Sequence, residues 1–354
     1  MGHKILSKGT TMKGLKVLCL AVSMTAVSSV ARAEFRPLDD AALRGMTGQA
    51  GITVELQTEL SMGKLAYQDQ GYLSINNVHL SGMNGGPLDN VRLKLDIAGQ
   101  GEILPYGFSD LAYLGSQGTL SASNPDVAAA MQQTAVTDSS GNVIGYGKQL
   151  NGGDLAIRID PTNIGDPTNV NDYLTAIDFG LSIGSITVSS QGQGAFTNSG
   201  TNLFSNINIK GYLGPTDIIV HNNGDGEHAS LPNGTKLGDS NVEFDTHFKI
   251  TDMSLNWDHS DVLLVFNLAN VGIEGMTIDN SRGNDTAGSF GFASASMKVA
   301  RATTAAGQNA LAIYDANFRA DISMPVFRVG GVNIGSVNFT DFVVDNTNLV
   351  VYGH

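Results

Sequence analysis

The sequence predicts an all-β protein in which bent antiparallel or mixed sheets form a rolled sandwich or an irregular β-roll, with one or two short helices. Three observations indicate this fold: apolar and polar residues alternate along much of the chain, clusters of Gly, Asn and Asp separate the alternating segments, and few segments carry helix signals. With 354 residues, of which 42% are hydrophobic and 43 are Gly, the chain can bury a sizeable core and still make many turns.

Residues 1–33 have the pattern of a secretory signal peptide. A basic stretch ending at Lys16 leads into an apolar run, and Ala31-Arg32-Ala33 supplies an A-x-A cleavage site. The apolar run is about half as long as the ~20 residues that a membrane span needs. We therefore expect export, cleavage before Glu34, and a location in the periplasm, in the outer membrane or at the cell surface of a Gram-negative bacterium.

The charge and the cysteine content exclude several classes of function. Cys19 is the only cysteine and lies within residues 1–33, so the mature chain has no disulfide, no thiolate zinc site and no cysteine nucleophile. Loss of residues 1–33 leaves 15 Lys and Arg against 33 Asp and Glu, a net charge of about −18. Because such a chain repels phosphate backbones, nucleic acid is not an expected partner.

Residues 34–50 combine a short helix with a Gly-rich junction. Asp39 is the expected N-cap and the helix ends at Gly45, whereas the strand-like alternation of the β-rich domain occupies residues 51–354. The helix either packs on the open end of the β-roll, or docks on a partner while the junction acts as a hinge. In the docking alternative the contact residues are Asp39, Asp40, Leu43 and Gln49.

Alternating rows place strands along the β-rich domain. Apolar residues at every second position predict half-buried strands at residues 91–97, 155–159, 177–183 and 262–268. A further helix is expected where Asn124 provides an N-cap and Pro125 occupies the first helical position. Residues 105–153, which contain this helix, are interpreted as an insertion between strands. Residues 160–172, in which DPTN occurs twice, are either a long surface loop or a linker between two lobes.

A second pattern, which we name the template, predicts bends in the strands. It has apolar residues at positions 1, 3, 6 and 8, with Ile at position 3, and occurs at residues 73–80, 181–188, 248–255, 271–278 and 332–339. The two residues in the middle reverse the side-chain phase, so the chain must bend or bulge there if both ends are to face one interior. The core residues predicted from the template are Ile75, Ile183, Ile250, Ile273 and Ile334.

The search for catalytic motifs gives no candidate residue. The sequence has no G-x-S-x-G elbow, no phosphate loop and no H-E-x-x-H zinc helix. The spacing of the clustered histidines does not enforce convergence on a metal; they are His221, His228, His247 and His259. We expect no cofactor and no metal. For the Asn and Asp loops, calcium is the alternative to plain hydrophilic turns, with ligands at Asp160, Asp166 and Asp172 or at Asp279 and Asp285.

The start of the mature chain resembles a group of exported proteins. The shared features are an acidic short helix, a T-G-Q-x-G-I junction from Thr47 to Ile52, and repeated I-x-[NS]-Φ motifs such as INNVHL and IGSVNF. In these features the chain is similar to the Fil-type pilus system (FilA-like) proteins of gammaproteobacteria, and the close similarity covers residues 38–54. The resemblance implies export and assembly of a surface filament, and it carries no catalytic residue.

Together these observations favour a non-enzymatic structural or interaction protein of the envelope or cell surface, whose polar loops contact other envelope or filament proteins. Association with the outer membrane is a further expectation. The alternative is a periplasmic carrier that holds a lipid or another apolar ligand between its sheets. An edge strand shared with a neighbouring molecule is the assembly route that this architecture favours.

Overall fold

The computed structural model describes residues 51–162, 166, 168–175, 177–190, 192, 194, 200–222, 230–258, 270–282 and 287–353. Several sequence-based predictions lie outside the described residues. They are the signal peptide, the helix at 39–45, the alternating row at 262–268, and the contact residues Asp39, Asp40, Leu43 and Gln49.

The fold is all-β, as predicted, and is dominated by one antiparallel sheet of 12 strands. In chain order the described elements are β1 (Ile52–Thr58), β2 (Leu60–Gln68), β3 (Gly71–Ser81), β4 (Leu88–Ile97), β5 (Ile103–Leu104), α1 (Ser109–Ser116), α2 (Pro125–Thr134), β6 (Ala135–Thr137), β7 (Val143–Tyr146), β8 (Lys148–Gln149), β9 (Leu155–Pro161), α3 (Val170–Leu174), β10 (Asp178–Ser190), β11 (Thr201–His221), β12 (Lys236–Trp257), β13 (Val271–Asp279), β14 (Ala293–Thr303), β15 (Asn309–Val329) and β16 (Val332–Tyr352).

Four long strands, β11, β12, β15 and β16, run through both halves of this sheet and are 21 or 22 residues long. In one half the strand order is β2-β3-β10-β11-β12-β13-β15-β16, and we name it the template half because it contains the template segments. In the other half the order is β1-β4-β9-β11-β12-β14-β15-β16. The strands on either side of residues 160–172, β9 and β10, both pair with β11 in this sheet.

Residues 103–149 form an insertion, which the sequence predicts at residues 105–153. Their short strands pair with one another, β5 with β8 and β6 with β7, while β4 and β9 on either side are neighbours in the large sheet. The helix expected at Asn124 is α2, because the Asn124 side chain accepts hydrogen bonds from the backbone N–H groups of Asp126 and Val127. We name the half of the sheet beneath these residues the insertion half.

The largest buried apolar cluster fixes the insertion on the sheet. Phe108, Leu111 and Val127 of the insertion belong to the same buried cluster as Phe290 and Phe292, which precede β14. The ring centroid of Phe108 lies 4.7 Å from that of Phe290 and 5.9 Å from that of Phe292. Burial of each such side chain contributes about 1.5–3 kcal/mol, so several of them hold the insertion firmly.

In four of the five predicted template segments, all except 181–188, the middle interrupts the regular strand as predicted. Asn77, Gly275 and Gly335 have positive φ angles of 53°, 68° and 121°, and the pairing of β12 with β13 shifts register between Ile250 and Met253. The extra residue reverses the alternation of side chains along the strand. Apolar positions on the two sides of the bulge therefore point to the same face of the sheet.

Candidate functional site

The template half has one continuous apolar face. Residues that pair directly across an antiparallel sheet point to the same side. One row of direct pairs crosses all eight strands with apolar side chains only: Leu65, Ile75, Ile186, Phe204, Trp257, Val271, Val329 and Val332. A second apolar row, beyond the bulges, comprises Leu60, Leu80, Leu181, Ile209, Met253 and Met276. We name this surface the apolar face.

The opposite face of the template half is polar. The neighbouring row of pairs comprises Lys64, Asn76, Ser185, Ser205, Asn256, Gly272, Arg328 and Asn333. On this face Asn76 Nδ2 donates hydrogen bonds to Ser185 Oγ at 3.1 Å and to Thr187 Oγ1 at 3.3 Å. The template therefore encodes an amphipathic sheet, with one polar face and one apolar face.

The template residues share a face but do not form a closed core. Ile250 is 7% exposed, whereas Ile75, Ile183 and Ile273 are half-buried. Ile334 is 61% exposed, so its assignment to the core is wrong. The physical reason is its position on β16, which is hydrogen-bonded to β15 and to no other described strand. None of the three buried apolar clusters of the described residues contains a template side chain.

Sequence reasoning missed two further copies of the template, at residues 60–67 in β2 and 322–329 in β15. Both have apolar residues at positions 1, 3, 6 and 8, but position 3 is Met62 or Met324 instead of Ile. Accepting any large apolar residue at position 3 would have found them. Because β2 and β16 are the two edges of the template half, both edges carry the template.

The most exposed side chains of the apolar face lie at its β16 edge. At the β2 side, Leu65 is 39% exposed and Tyr67 is 43% exposed. At the β16 side, Val332 is 65% exposed and Phe339 is 44% exposed. A row of apolar residues that is half-buried inside the sheet thus ends in water on both sides.

The insertion half carries a buried cluster of charged residues, which is the second candidate site. Arg158, in β9, has a side chain only 5% exposed, and its Nη1 donates to Asp217 Oδ1 at 2.8 Å. Its Nη2 donates to the carbonyl oxygen of Gly107 at 2.9 Å and to Asp110 Oδ2 at 3.1 Å. Arg158 therefore joins β9 and β11 to the insertion. We name these residues and their polar neighbours the charged cluster.

Two further carboxylates extend the charged cluster. Asp160 is fully buried and accepts hydrogen bonds from Arg92 Nε at 2.8 Å and Lys94 Nζ at 2.7 Å. Glu243, in β12, accepts a hydrogen bond from the Tyr106 hydroxyl at 2.9 Å and forms an ion pair with Lys148. Since Tyr106 and Lys148 belong to the insertion, this carboxylate fastens a second point of the insertion to the sheet.

Burial shifts the pKa values of several groups in the charged cluster. It raises the pKa of Asp245 to about 6, with the nearby Glu243 carboxylate adding to the shift, and it lowers the pKa of His247 to about 4. It also raises the pKa of Asp217. Burial opposes ionisation of Glu243, but hydrogen bonds from Lys148, Tyr106 and His221 outweigh it and lower the pKa of this carboxyl.

Perturbed pKa values are common at catalytic sites. In the charged cluster they follow from the burial of groups that lie between the sheet and the insertion. The strongest contacts of the cluster run between the sheet and the insertion, and the cavity beside Arg158 and Lys148 measures about 50 Å3. Such a volume holds a few water molecules, whereas ligand pockets are typically about 300–1,000 Å3. The arrangement is suited to hold the insertion in place.

The structure brings two of the four clustered histidines into this region. His221 places Nδ1 3.1 Å from Asp154 Oδ2 and Nε2 3.3 Å from Glu243 Oε2, and the His247 ring lies 4.6 Å from that of Phe108. His228 and His259 lie outside the described residues. The described residues contain no group of three His, Cys, Asp or Glu placed to hold a metal ion.

The carboxylates considered for calcium lie in different settings. Asp160 forms ion pairs with three basic side chains. Asp166 accepts a hydrogen bond from the Thr168 hydroxyl at 2.7 Å, and Asp172 lies in α3. Asp279 ends β13 and accepts a hydrogen bond from the Ser281 hydroxyl at 2.9 Å. Asp285 lies outside the described residues.

No helix among the described residues is long and apolar enough to cross a membrane. Residues 12–99 match the model of a family of unknown function, DUF6160. This range continues through β4 and so includes β1 and β2, which form one edge of the sheet. No curated protein and no solved structure matches the chain.

Proposed function

We propose that the protein is an exported, non-enzymatic structural protein of the cell envelope that acts through contacts of its sheet with other envelope or filament proteins. The observation that carries this proposal is the apolar face, whose side chains are exposed where the sheet ends. Large contiguous apolar patches on a folded protein are typical of interaction sites. The signal-peptide pattern of residues 1–33 supports export, and the resemblance of residues 38–54 supports a filament as the assembly.

The charged cluster also supports a structural role. Its carboxylates and basic groups bond one another and the backbone of the insertion, as Arg158 does with Asp217 and Gly107. An enzyme would need titratable groups that converge on a space large enough for a substrate. The insertion half is therefore a rigid platform that leaves the template half for contacts.

The test is cross-linking of intact cells that express the full chain and its variants. Leu73 and Val188 pair directly on the apolar face and are 43% and 37% exposed. The double variant Leu73→Ser/Val188→Ser is expected to lose most of the cross-linked species of higher mass. The matched control is Val143→Ser/Ile144→Ser, which replaces side chains 51% and 53% exposed in β7 and should leave these species intact. Finding only the monomer in cells with the unmodified chain would contradict the proposal.

The same surface favours a second candidate function, a periplasmic carrier of a lipid or another apolar molecule. Leu65, Tyr67, Leu73 and Val188 give one corner of the apolar face several partly exposed side chains where an acyl chain could lie. Mass spectrometry of an organic extract of the purified protein distinguishes the two functions. A stoichiometric apolar ligand that disappears in Leu73→Ser/Val188→Ser would support the carrier instead.

A further inference from the structure

We propose that the partner of the template half is a second copy of this chain, which adds edge to edge so that β16 of one copy pairs with β2 of the next. This inference deepens the proposed function and rests on it. Four features of the described strands lead to it: the continuity of the edges, their direction, their matching side chains and the exposure of those side chains.

Each edge of the sheet is nearly one continuous strand. On one side, β16 runs from Val332 to Tyr352 and borders both halves. On the other side, β1 and β2 are separated only by Glu59, so residues 52–68 border both halves in the same way. On its outer side, neither edge pairs with a described strand. A long edge with no described strand on its outer side is a usual place for another chain to add to a sheet.

The two edges run in the directions that such pairing needs. Each half has eight strands, and all neighbours are antiparallel. Because eight is even, β16 runs opposite to β2 in the template half and opposite to β1 in the other half. A second copy with the same face up therefore meets β16 with antiparallel strands along the whole edge.

The side chains of the two edges fit in a register that the chain already uses. In the pairs β2 with β3 and β3 with β10, template positions 1, 3, 6 and 8 face positions 8, 6, 3 and 1. The same register between two copies sets Leu60 opposite Phe339, Met62 opposite Val337, Leu65 opposite Ile334 and Tyr67 opposite Val332. Each apolar side chain then has an apolar partner on the same face.

We name the contact between β16 of one copy and β2 of the next the joint. The exposure of these residues indicates which side chains the joint would bury. Leu65 and Tyr67 are 39% and 43% exposed, whereas Ile334 and Val332 are 61% and 65% exposed. Inside the sheet, Ile75 and Ile186 at positions 3 and 6 are half-buried, and Leu73 and Val188 at positions 1 and 8 are 43% and 37% exposed. Since the joint uses two different edges of each copy, every added copy presents a new edge, and the assembly grows by one repeated contact.

Cysteine cross-linking tests the joint, with Cys19→Ser in the full chain as the background so that no other cysteine is present. The register sets Ser61 opposite Asn338 on the polar face, at the ~4.5–5.5 Å Cα separation of directly opposed residues that a disulfide requires. Within one copy these residues lie seven strand spacings apart, about 34 Å across the sheet. Ser61→Cys/Asn338→Cys is therefore expected to give a ladder of dimers, trimers and larger species on oxidation.

Single variants establish that the contact is head to tail. Ser61→Cys alone and Asn338→Cys alone should stay monomeric, and their equimolar mixture should stop at the dimer. The out-of-register control is Ser61→Cys/Asn333→Cys, displaced by five residues or about 17 Å, which should give no ladder. The proposal is overturned if the in-register double variant stays monomeric, if Asn338→Cys alone dimerises as well as the mixture, or if the control gives an equal ladder.

A charge placed in the joint gives a second measurement. Ile334→Glu is expected to raise the dissociation constant at least tenfold, measured by light scattering across a concentration series. Ile144→Glu, at a side chain 53% exposed on the insertion, is the matched control and should change nothing. If no ladder forms but cells still give cross-linked species that Leu73→Ser/Val188→Ser removes, self-addition is wrong and the proposed function stands. If those species are absent as well, both are wrong.

Discussion

Arg158 is the residue that organises the insertion half. It is 4% exposed, and its guanidinium reaches a carboxylate of β11 and a backbone carbonyl of the insertion at the same time. A buried ion pair of this kind adds little net stability over an apolar pair, but removal of one partner leaves a charge buried without compensation. The fold therefore depends more on Arg158 than on an arginine in an exposed ion pair, such as Arg328.

Replacement of Arg158 is expected to be strongly destabilising. Arg158→Gln leaves Asp217, which is 3% exposed, without its basic partner, and should lower the free energy of unfolding by about 3–5 kcal/mol. Urea unfolding at neutral pH measures the change. The matched control is Arg328→Gln, which removes an ion pair to Glu274 with side chains 39% and 50% exposed, and which should cost less than about 1 kcal/mol. Equal losses would contradict the role given to Arg158.

Asp245 and His247 predict opposite pH dependences of stability. The pKa of Asp245 is raised from 3.8 to about 6, so the folded chain binds more protons than the unfolded chain between these values and stability falls as pH rises through this window. The pKa of His247 is lowered from 6.5 to about 4, so the unfolded chain binds more protons and stability rises with pH between about 4 and 6.5. In the unmodified chain the two slopes largely cancel.

Single substitutions should separate these two slopes. Asp245→Asn removes the first slope, so its stability should rise from pH 4 to pH 6 relative to the unmodified chain. His247→Gln removes the second, so its stability should fall over the same interval. Unfolding free energies from urea titrations at both pH values provide the measurement. Two variants with the same sign of slope would show that the two groups do not titrate as their burial implies.

The bulge in the middle of the template brings apolar positions 1, 3, 6 and 8 to one face of the sheet. Asn77, with φ of 53°, occupies it in β3, where Asn is among the few side chains that tolerate a left-handed backbone. Asn77→Val should lower the free energy of unfolding by about 1–2 kcal/mol because a β-branched residue is strained there. Asn77→Gly should change it by only a few tenths, since Gly adopts this conformation freely. Thermal and urea unfolding of both variants check the difference.

The sequence could predict the strands, the insertion and α2, because alternation and capping are local signals. It could also predict the bulges, since the template spacing fits neither a plain strand nor a helix. It could not predict the charged cluster, in which Arg158, Asp217 and Glu243 come from three strands whose register is set by distant pairing. For the same reason it placed Ile334 in a core: only the complete strand order shows that β16 is an edge.

At the scale of the whole sheet, the insertion half and the template half differ in how they are covered. The insertion covers one half with a buried apolar cluster and a charged cluster, and so holds the four long strands in place. The same strands continue into the template half, where the buried apolar clusters of the described residues do not reach. The apolar face is therefore continuous with a well-packed half of the sheet and is exposed at its edges, a geometry suited to repeated contacts between copies.

This division predicts where hydrogen exchange should respond to protein concentration. In the dilute protein, amides on the outer sides of β2 and β16 face water and should exchange quickly. When the concentration exceeds the dissociation constant about a hundredfold, outward-facing amides in residues 60–68 and 332–339 should exchange about tenfold more slowly, because about nine edges in ten are then joined. Amides of α1 and α2 should not change, and Ile334→Glu should reduce the slowing at both edges together. Slowing at β16 without slowing at β2 would mean that β16 pairs with itself, and the edge-to-edge order of copies would be wrong.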